Sequence, residues 1–185
     1  MSLVTEEIKA SASEMYYGDE ICQEKSKFLL TEMGLPNGLL PLKDIEECGY
    51  VKETGFVWLK QKKKSEHRFE KIGKPVQYAT EVTAYVEPNR IKKLTGVKTK
   101  ELLLWITLSE IYVDDPPTGK ITFKTPAGLF RSFPVSAFEI EEDVKEGKGV
   151  EGDKEVKGKE EVEGDKKVKG AVGVKGKEAV EVKEV

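Results

Sequence analysis

The single histidine of the 185-residue chain, His67, is the side chain with the most versatile chemistry, because an imidazole can act as a general base. With a serine nucleophile beside it, the site would be an ester hydrolase. The sequence contains no Gly-x-Ser-x-Gly turn to expose such a serine, and the neighbours of His67 are charged. We therefore expect His67 at the surface in a turn and no catalytic residues. A weak hydrolase would have to pair it with one of four serines: Ser65, Ser109, Ser132 or Ser136.

Two cysteines, Cys22 and Cys48, complete the set of reactive side chains. One histidine and two distant cysteines provide no ligand spacing for zinc, so we expect neither a metal nor another cofactor. Two cysteines do not make a disulfide framework, and we expect both to fill core space in a reducing compartment. The sequence shows no signal peptide and no long apolar run. We expect a cytoplasmic protein, peripheral to a membrane at most.

A basic run of seven residues is the largest local charge in residues 1–140: Lys60, Lys62, Lys63, Lys64, Arg68, Lys71 and Lys74. Such a run can contact an anionic membrane surface or phosphates, or it can form the solvated end of a hairpin. Residues 1–140 carry equal numbers of basic and acidic residues, so we expect no nucleic-acid partner. The residues assigned to anionic-surface contact are Lys60, Lys62, Lys63, Lys64 and Arg68.

An apolar cavity is the remaining kind of site. Small barrels are either filled by their own side chains or hold one small ligand, and the sequence leaves both readings open. We assign four aromatic residues to the lining of a pocket for a lipid or another apolar small molecule: Trp58, Trp105, Phe123 and Phe130.

Two helices are predicted ahead of the sheet that would hold these residues. Thr5 caps the first, which extends to Met15, with glutamates in its first turn. Asp19 caps the second, and its apolar residues recur at helical spacing up to Met33. Gly34 then ends the second helix in a left-handed conformation.

From residue 45 onward the apolar period changes to two, which predicts strands. About eight short strands favour a mainly β fold: a small antiparallel barrel or pseudobarrel with N-terminal helices. Apolar residues fall on both faces of 102–109, so this strand is predicted to be central and covered on both sides. The predicted strands are 45–51, 55–61, 66–72, 77–86, 90–94, 102–109, 121–124 and 129–133.

The last segment, 141–185, is rich in Lys, Glu, Gly and Val, and it repeats VEGDKEVKG from Val150 as VEGDKKVKG from Val162. Isolated valines amid mixed charge cannot bury a core, so we predict a disordered tail after one domain, 1–140. An alternative is that the tail recruits a protein partner. We expect the domain to be a monomer.

Five segments follow one another along the chain: GLPNGLLP (34–41), GFVWL (55–59), QYATEVTAYV (77–86), LTGVKTKELLLWITLSEI (94–111) and GLFRSFPVSAF (128–138). In this order they resemble the plant domain of unknown function 538 family, over roughly residues 5–140. The resemblance implies a small β-barrel-like domain capped by helices. For function it implies a relation to lipid-binding proteins, chlorophyll binding or ester hydrolysis, and roles in stress responses, with no established catalytic residues. Many members begin with a secretory signal, which this sequence lacks.

These observations favour a non-enzymatic module that binds an apolar small molecule, a lipid or an anionic membrane surface. The alternatives are an interaction scaffold that uses the tail and a weak hydrolase of a chlorophyll-type ester.

Overall fold

The computed structural model of the protein describes residues 2–141. The chain divides into two units after Ile140, and nearly all described residues belong to the first. The predicted disorder and recruiting role of the tail lie outside the described residues.

The described residues form two α-helices, ten strands and one 3₁₀ helix. The helices are α1 Glu6–Ala10 and α2 Asp19–Glu32, and the 3₁₀ helix is Val135–Phe138. The strands are β1 Glu14–Tyr17, β2 Ile45–Val51, β3 Phe56–Gln61, β4 Ser65–Phe69, β5 Lys74–Glu87, β6 Arg90–Glu101, β7 Leu104–Thr107, β8 Glu110–Val113, β9 Lys120–Lys124 and β10 Phe130–Pro134.

All strand pairs are antiparallel and belong to one sheet, in the order β1-β2-β3-β5-β6-β8-β9-β10. The mainly β, antiparallel fold class is therefore confirmed. The order begins at β1 and ends at β10, so the sheet is open and has the form of a pseudobarrel.

The sheet branches around its two longest strands. β5 pairs with β4 along its first half and with β3 along its second, while β6 pairs with β8 near its start and with β7 at its end. Within the described residues, β7 has no strand partner other than β6. The β6–β7 hairpin therefore projects beyond the part of the sheet that β8, β9 and β10 continue.

The two ends of the β5–β6 hairpin define two ends of the molecule. The open end contains the start of β5, the end of β6 and the β9–β10 loop, joined by ion pairs of Lys74 and Arg131 with Glu101. At the other end, Val86 donates to the Gly55 carbonyl and Val113 to that of Asn89. We define the open end as segments 70–74, 98–104 and 124–131, and the turn end as segments 52–55, 87–90 and 114–119.

The first helix is shorter than its sequence predicts. The Thr5 hydroxyl accepts from the Ile8 amide at 3.1 Å, which confirms the cap, but the helix ends at Ala10. Met15 lies on β1, opposite Gly49 of β2. Pairing with the sheet therefore decides the conformation of this segment over its helical period.

The second helix ends as predicted, with Gly34 at φ +76°. Its start and its buried face differ from the prediction. Gly18 is the N-cap, and the Asp19 carboxylate instead accepts from the Ile45 amide at 2.9 Å. The face toward the sheet carries Cys22 and Leu30, whereas Phe28 is 61% exposed.

The prediction of a buried central strand over 102–109 is wrong. Glu101 pairs with Leu104, so Leu102 and Leu103 form the two-residue loop of a hairpin and are 93% and 86% exposed. Leu102 has φ +58°, a conformation for which hairpin loops normally use glycine. The sequence predicts burial here because leucine is usually buried and the run contains none of the residues typical of turns.

Candidate functional site

A pocket of about 740 Å³ opens at the open end, between the β6–β7 hairpin and the β9–β10 hairpin. The branching of the sheet explains it, because β7 pairs with β6 alone and leaves a gap beside the strands that follow β8. The inner wall is apolar. It includes Val76, Ile106, Leu108, Phe123, Phe133 and Phe138.

Packed aromatic rings form one side of this pocket. The ring centroids of Phe123 and Phe138 lie 5.0 Å apart, those of Phe123 and Phe133 lie 5.8 Å apart, and Phe69 supports Phe138 from behind at 4.7 Å. Tilted and edge-on pairs at such distances stabilise one another. The pocket therefore has a fixed wall on this side.

A charged cluster stands at the edge of the pocket. Lys74 Nζ lies 2.8 Å from one carboxylate oxygen of Glu101, and an Arg131 guanidinium nitrogen lies 3.1 Å from the other. Two cations share one carboxylate, so the cluster carries a net positive charge. Lysine and arginine have three and five N–H donors respectively, and donors remain for an anionic group at this edge.

The mouth of the pocket is rimmed by exposed apolar side chains. Leu102 from one hairpin and Leu129 and Phe130 from the other line the pocket and are each more than 60% exposed. Water therefore contacts apolar surface on both sides of the opening, which is an arrangement that marks binding sites.

The four aromatic residues assigned to a pocket from the sequence are separated by the fold. Phe123 and Phe130 line the pocket described above. Trp105 lies on β7 next to Ile106, which lines the pocket, and Lys100 Nζ lies 5.7 Å from the centre of the Trp105 ring. Trp58 is buried in another cluster with Val4 and Phe56. A strand alternates its faces, which explains why Ile106 rather than Trp105 faces the pocket.

Trp58 also contributes to a second, smaller cavity of about 190 Å³ between α2 and the sheet. Its indole nitrogen donates to Glu47 at 2.7 Å. The ring lies against Gly49, where an added Cβ would collide with it. Trp58 is therefore a packed and hydrogen-bonded structural residue.

Most of the basic run lies away from the pocket, although Lys71 and Lys74 belong to the open end and Lys74 lines the pocket. Lys62, Lys63 and Lys64 follow β3 and precede β4, whereas the pocket lies at the other end of β4, beyond Phe69. Lys60 is on β3, and Arg68 on β4 pairs with Glu70 at 3.6 Å. These residues face solvent beside β4 rather than at the mouth of the pocket.

His67 lies on β4, not in a turn, and is half-buried. Its ring contacts that of Phe69 at 4.6 Å. Burial, with a contribution from Lys43, lowers the pKa of His67. Among residues 2–141, no hydrogen bond joins its imidazole to a serine or a carboxylate.

The four serines have other partners or positions. Ser65 donates to Gln61 at 3.0 Å, Ser109 to the Lys124 carbonyl at 3.3 Å, and Ser132 shares a hydrogen bond with Thr122 at 2.8 Å. Ser136 stands in the 3₁₀ helix. The fold therefore assembles no Ser–His pair from these residues.

Cys22 and Cys48 are both buried, as free thiols on facing surfaces of α2 and β2. The Cys22 thiol donates to the Tyr16 carbonyl at 3.5 Å. Burial raises the pKa of both thiols, which keeps them protonated and unreactive as nucleophiles. Their placement in the core confirms the packing role expected for them.

The sequence reasoning missed the residues that shape the mouth of the pocket. The run Leu102, Leu103 and Leu104 carries no turn residue, and Glu101 reads as one charge among many. The available signal was the pair of charged residues Lys100 and Glu101 just before the leucines. A charge pair in a predicted buried strand contradicts burial on both faces.

In the part of the chain that the structure describes, no group of three or more acidic, histidine or cysteine side chains is placed to hold a metal ion. None of the helices between residues 2 and 141 has the length and apolar character needed to cross a bilayer.

The sequence model of the family described as Protein of unknown function, DUF538, matches residues 26–139. No curated protein and no solved structure matches the chain. The family match includes both hairpins that border the pocket and more than half of the chain. The protein therefore belongs to this family of unknown function.

Proposed function

We propose that the protein is a non-enzymatic binding module that holds one apolar small molecule or lipid in the pocket at the open end. The pocket itself carries the proposal. Its volume of about 740 Å³ falls within the roughly 300–1,000 Å³ typical of ligand sites. Its lining is largely aliphatic and aromatic, which suits a hydrocarbon chain or ring system.

The charged cluster narrows the class of ligand. Lys74 and Arg131 share Glu101, so their remaining N–H groups and net positive charge favour a carboxylate or phosphate head. A molecule with an apolar body in the pocket and an anionic head at its edge satisfies both surfaces. Fatty acids and phospholipids have this chemistry.

Native mass spectrometry tests the proposal on full-length protein purified gently from the cells that make it. We expect the native mass to exceed the denatured mass by the mass of one ligand. Replacing Ile106 by Trp places an indole in the pocket and should remove the excess mass. Trp105→Ala, on the same strand but on its other face, is the matched control and should keep it.

Circular dichroism of both variants distinguishes loss of the ligand from loss of the fold. A ligand retained by folded Ile106→Trp would place the binding site elsewhere, for example in the smaller cavity under α2, and would contradict the proposal. Wild-type protein without excess mass, which also fails to take up a long-chain fatty acid, would contradict it as well.

A further inference from the structure

The β6–β7 hairpin ends in a leucine tip, Leu102, Leu103 and Leu104, which projects from the molecule. Each of these side chains is more than two-thirds exposed, and Leu102 is 93% exposed. Leu103 and Leu104 do not line the pocket, so the pocket does not account for them. An exposed apolar cluster of this kind marks an interaction surface.

A second exposed apolar pair stands across the mouth of the pocket from the leucine tip. Leu129 precedes β10 and Phe130 begins it, after a Thr-Pro-Ala-Gly loop without charged residues. Both hairpins border one opening, so the two apolar groups belong to the same end of the molecule. They present convex loops rather than a groove, which suits insertion into a fluid apolar phase.

Basic residues surround these loops. The three segments of the open end contain six basic residues and only two acidic ones, Glu70 and Glu101. The three segments of the turn end contain two basic and four acidic residues. The basic side chains of the open end are Lys71, Lys74, Lys98, Lys100, Lys124 and Arg131.

Trp105 adds a third observation. It follows the leucine tip directly, is half-buried, and has the ammonium of Lys100 5.7 Å from its ring centre. Tryptophan and lysine are the residues that concentrate where hydrocarbon meets lipid headgroups. With increasing distance from the end of the hairpin, the residue types therefore change from leucine to tryptophan and lysine.

We propose that the open end docks on an anionic bilayer, with the leucine tip and the Leu129–Phe130 pair inserted among the acyl chains and the surrounding lysines on the headgroups. Apolar burial and attraction to anionic lipid act together in such contacts. This surface is distinct from the Lys62–Lys64 loop. Docking through the open end does not depend on whether the pocket holds a ligand.

Co-sedimentation of the full-length protein with vesicles tests the docking surface. We expect binding to vesicles of phosphatidylcholine with phosphatidylserine, weaker binding to phosphatidylcholine alone, and weakening by salt. The double variant Leu103→Ser, Leu104→Ser should bind at least about tenfold more weakly, because it removes two leucines from the inserted surface. We expect the fold and the pocket to be kept, because both leucines are exposed and neither lines the pocket.

Two controls make the test specific. Phe28→Ser removes an exposed aromatic residue from α2, which packs on β1 and β2 and not on the hairpins of the open end, and should bind as wild type. The triple change of Lys62, Lys63 and Lys64 to Gln should lower binding far less than the tip variant. A loss confined to the triple variant would transfer the docking site to that loop and overturn the proposal.

Trp105 provides an independent readout. The chain has two tryptophans, and Trp58 is 1% exposed, so a blue shift of emission on vesicle addition reports Trp105. We expect the blue shift in the wild-type protein and no shift in the Leu103→Ser, Leu104→Ser variant. Ile106→Trp should also show the shift once the emission of its added indole is subtracted. The proposal would be overturned if the wild-type protein did not bind these vesicles. It would also be overturned, in favour of a second copy as the partner, if the wild-type protein formed dimers and the Leu103→Ser, Leu104→Ser variant did not.

Discussion

The open end and the turn end of the β5–β6 hairpin differ in how well their loop residues suit the backbone conformation they adopt. At the turn end, Pro88 and Asn89 connect the strands, and Asn89 takes φ +67°, which asparagine tolerates well. At the open end, Leu102 takes φ +58° and exposes 93% of its surface. The residue preference of hairpin loops is thus followed at Asn89 and violated at Leu102, beside the pocket. Such violations concentrate at functional sites.

The contacts of the two ends differ in the same way. At the turn end, the Asn89 amide donates to the Met33 carbonyl at the end of α2 at 2.6 Å, so the helix supports this turn. At the open end, the apolar loops face water. Of the two ends, the open end carries the exposed large apolar side chains, and we expect the turn end to contribute more to stability.

The largest effect that sharpens this comparison is expected from a glycine at the turn end. Gly55 has φ +86°, and an added Cβ would lie 2.6 Å from the Val86 carbonyl oxygen. Gly55→Ala should lower the free energy of unfolding by about 2–4 kcal/mol, through the left-handed conformation and the collision together.

Gly128→Ala, at the open end, is the matched control for Gly55→Ala. It has φ +93°, but an added Cβ meets nothing within 4 Å, so we expect a loss of only about 1 kcal/mol. Urea denaturation of both variants measures the difference. Equal losses would show that the turn end is no more tightly packed than the open end.

A gain of stability is expected at the open end from Leu102→Gly. Glycine relieves the left-handed conformation, which costs leucine about 1–2 kcal/mol, but it also loses more freedom on folding. The net gain should be about 0.5–1 kcal/mol in thermal or urea unfolding, together with weaker vesicle binding. A Leu102→Gly variant less stable than wild type would show that Leu102 does not lower the stability of the fold.

Glu101→Gln tests the charge of the open end. The change removes the carboxylate shared by Lys74 and Arg131, so we expect a loss of about 1 kcal/mol in stability. Freed of their partner, both cations should bind an anionic amphiphile more tightly, as fatty-acid titration would measure. Glu87→Gln, which removes ion pairs at the turn end, should leave fatty-acid affinity unchanged.

The smallest effect concerns His67, which belongs to neither end. Burial and Lys43 hold its pKa below the ordinary value, so the unfolded chain takes up the proton more readily. Stability should therefore fall slightly as the pH drops from 7 through about 6.5, and this part of the decline should disappear in His67→Gln. An unchanged pH profile in His67→Gln would show that His67 titrates alike in both states.

Local rules predicted much of the fold. The strand Ile45–Val51, the left-handed Gly34 and the antiparallel class follow from period, turn residues and steric freedom. Each of these features is determined within a few residues of itself. Sequence patterns therefore carry that information directly.

The candidate site was less predictable because it depends on pairings between distant segments. Met15 belongs to β1 because it pairs with Gly49 of β2. The leucine run forms a hairpin tip because Leu104 pairs with Glu101 at the end of β6. Phe123 and Phe130 were assigned to a pocket on residue type alone, and so were Trp58 and Trp105, which face elsewhere. Which face of a strand a residue occupies follows from register, which no short window of sequence contains.

The single neighbour of β7 has a consequence for how the protein exchanges molecules with its surroundings. Amides on the outer edge of β7 have no ladder partner among the described residues, so separating β7 from β6 should cost much less free energy than global unfolding. Hydrogen exchange should therefore be faster in β7 than in β5 and β6, which are paired on both sides. We expect the wall of the pocket that β7 forms to open and reclose while β5 and β6 stay paired.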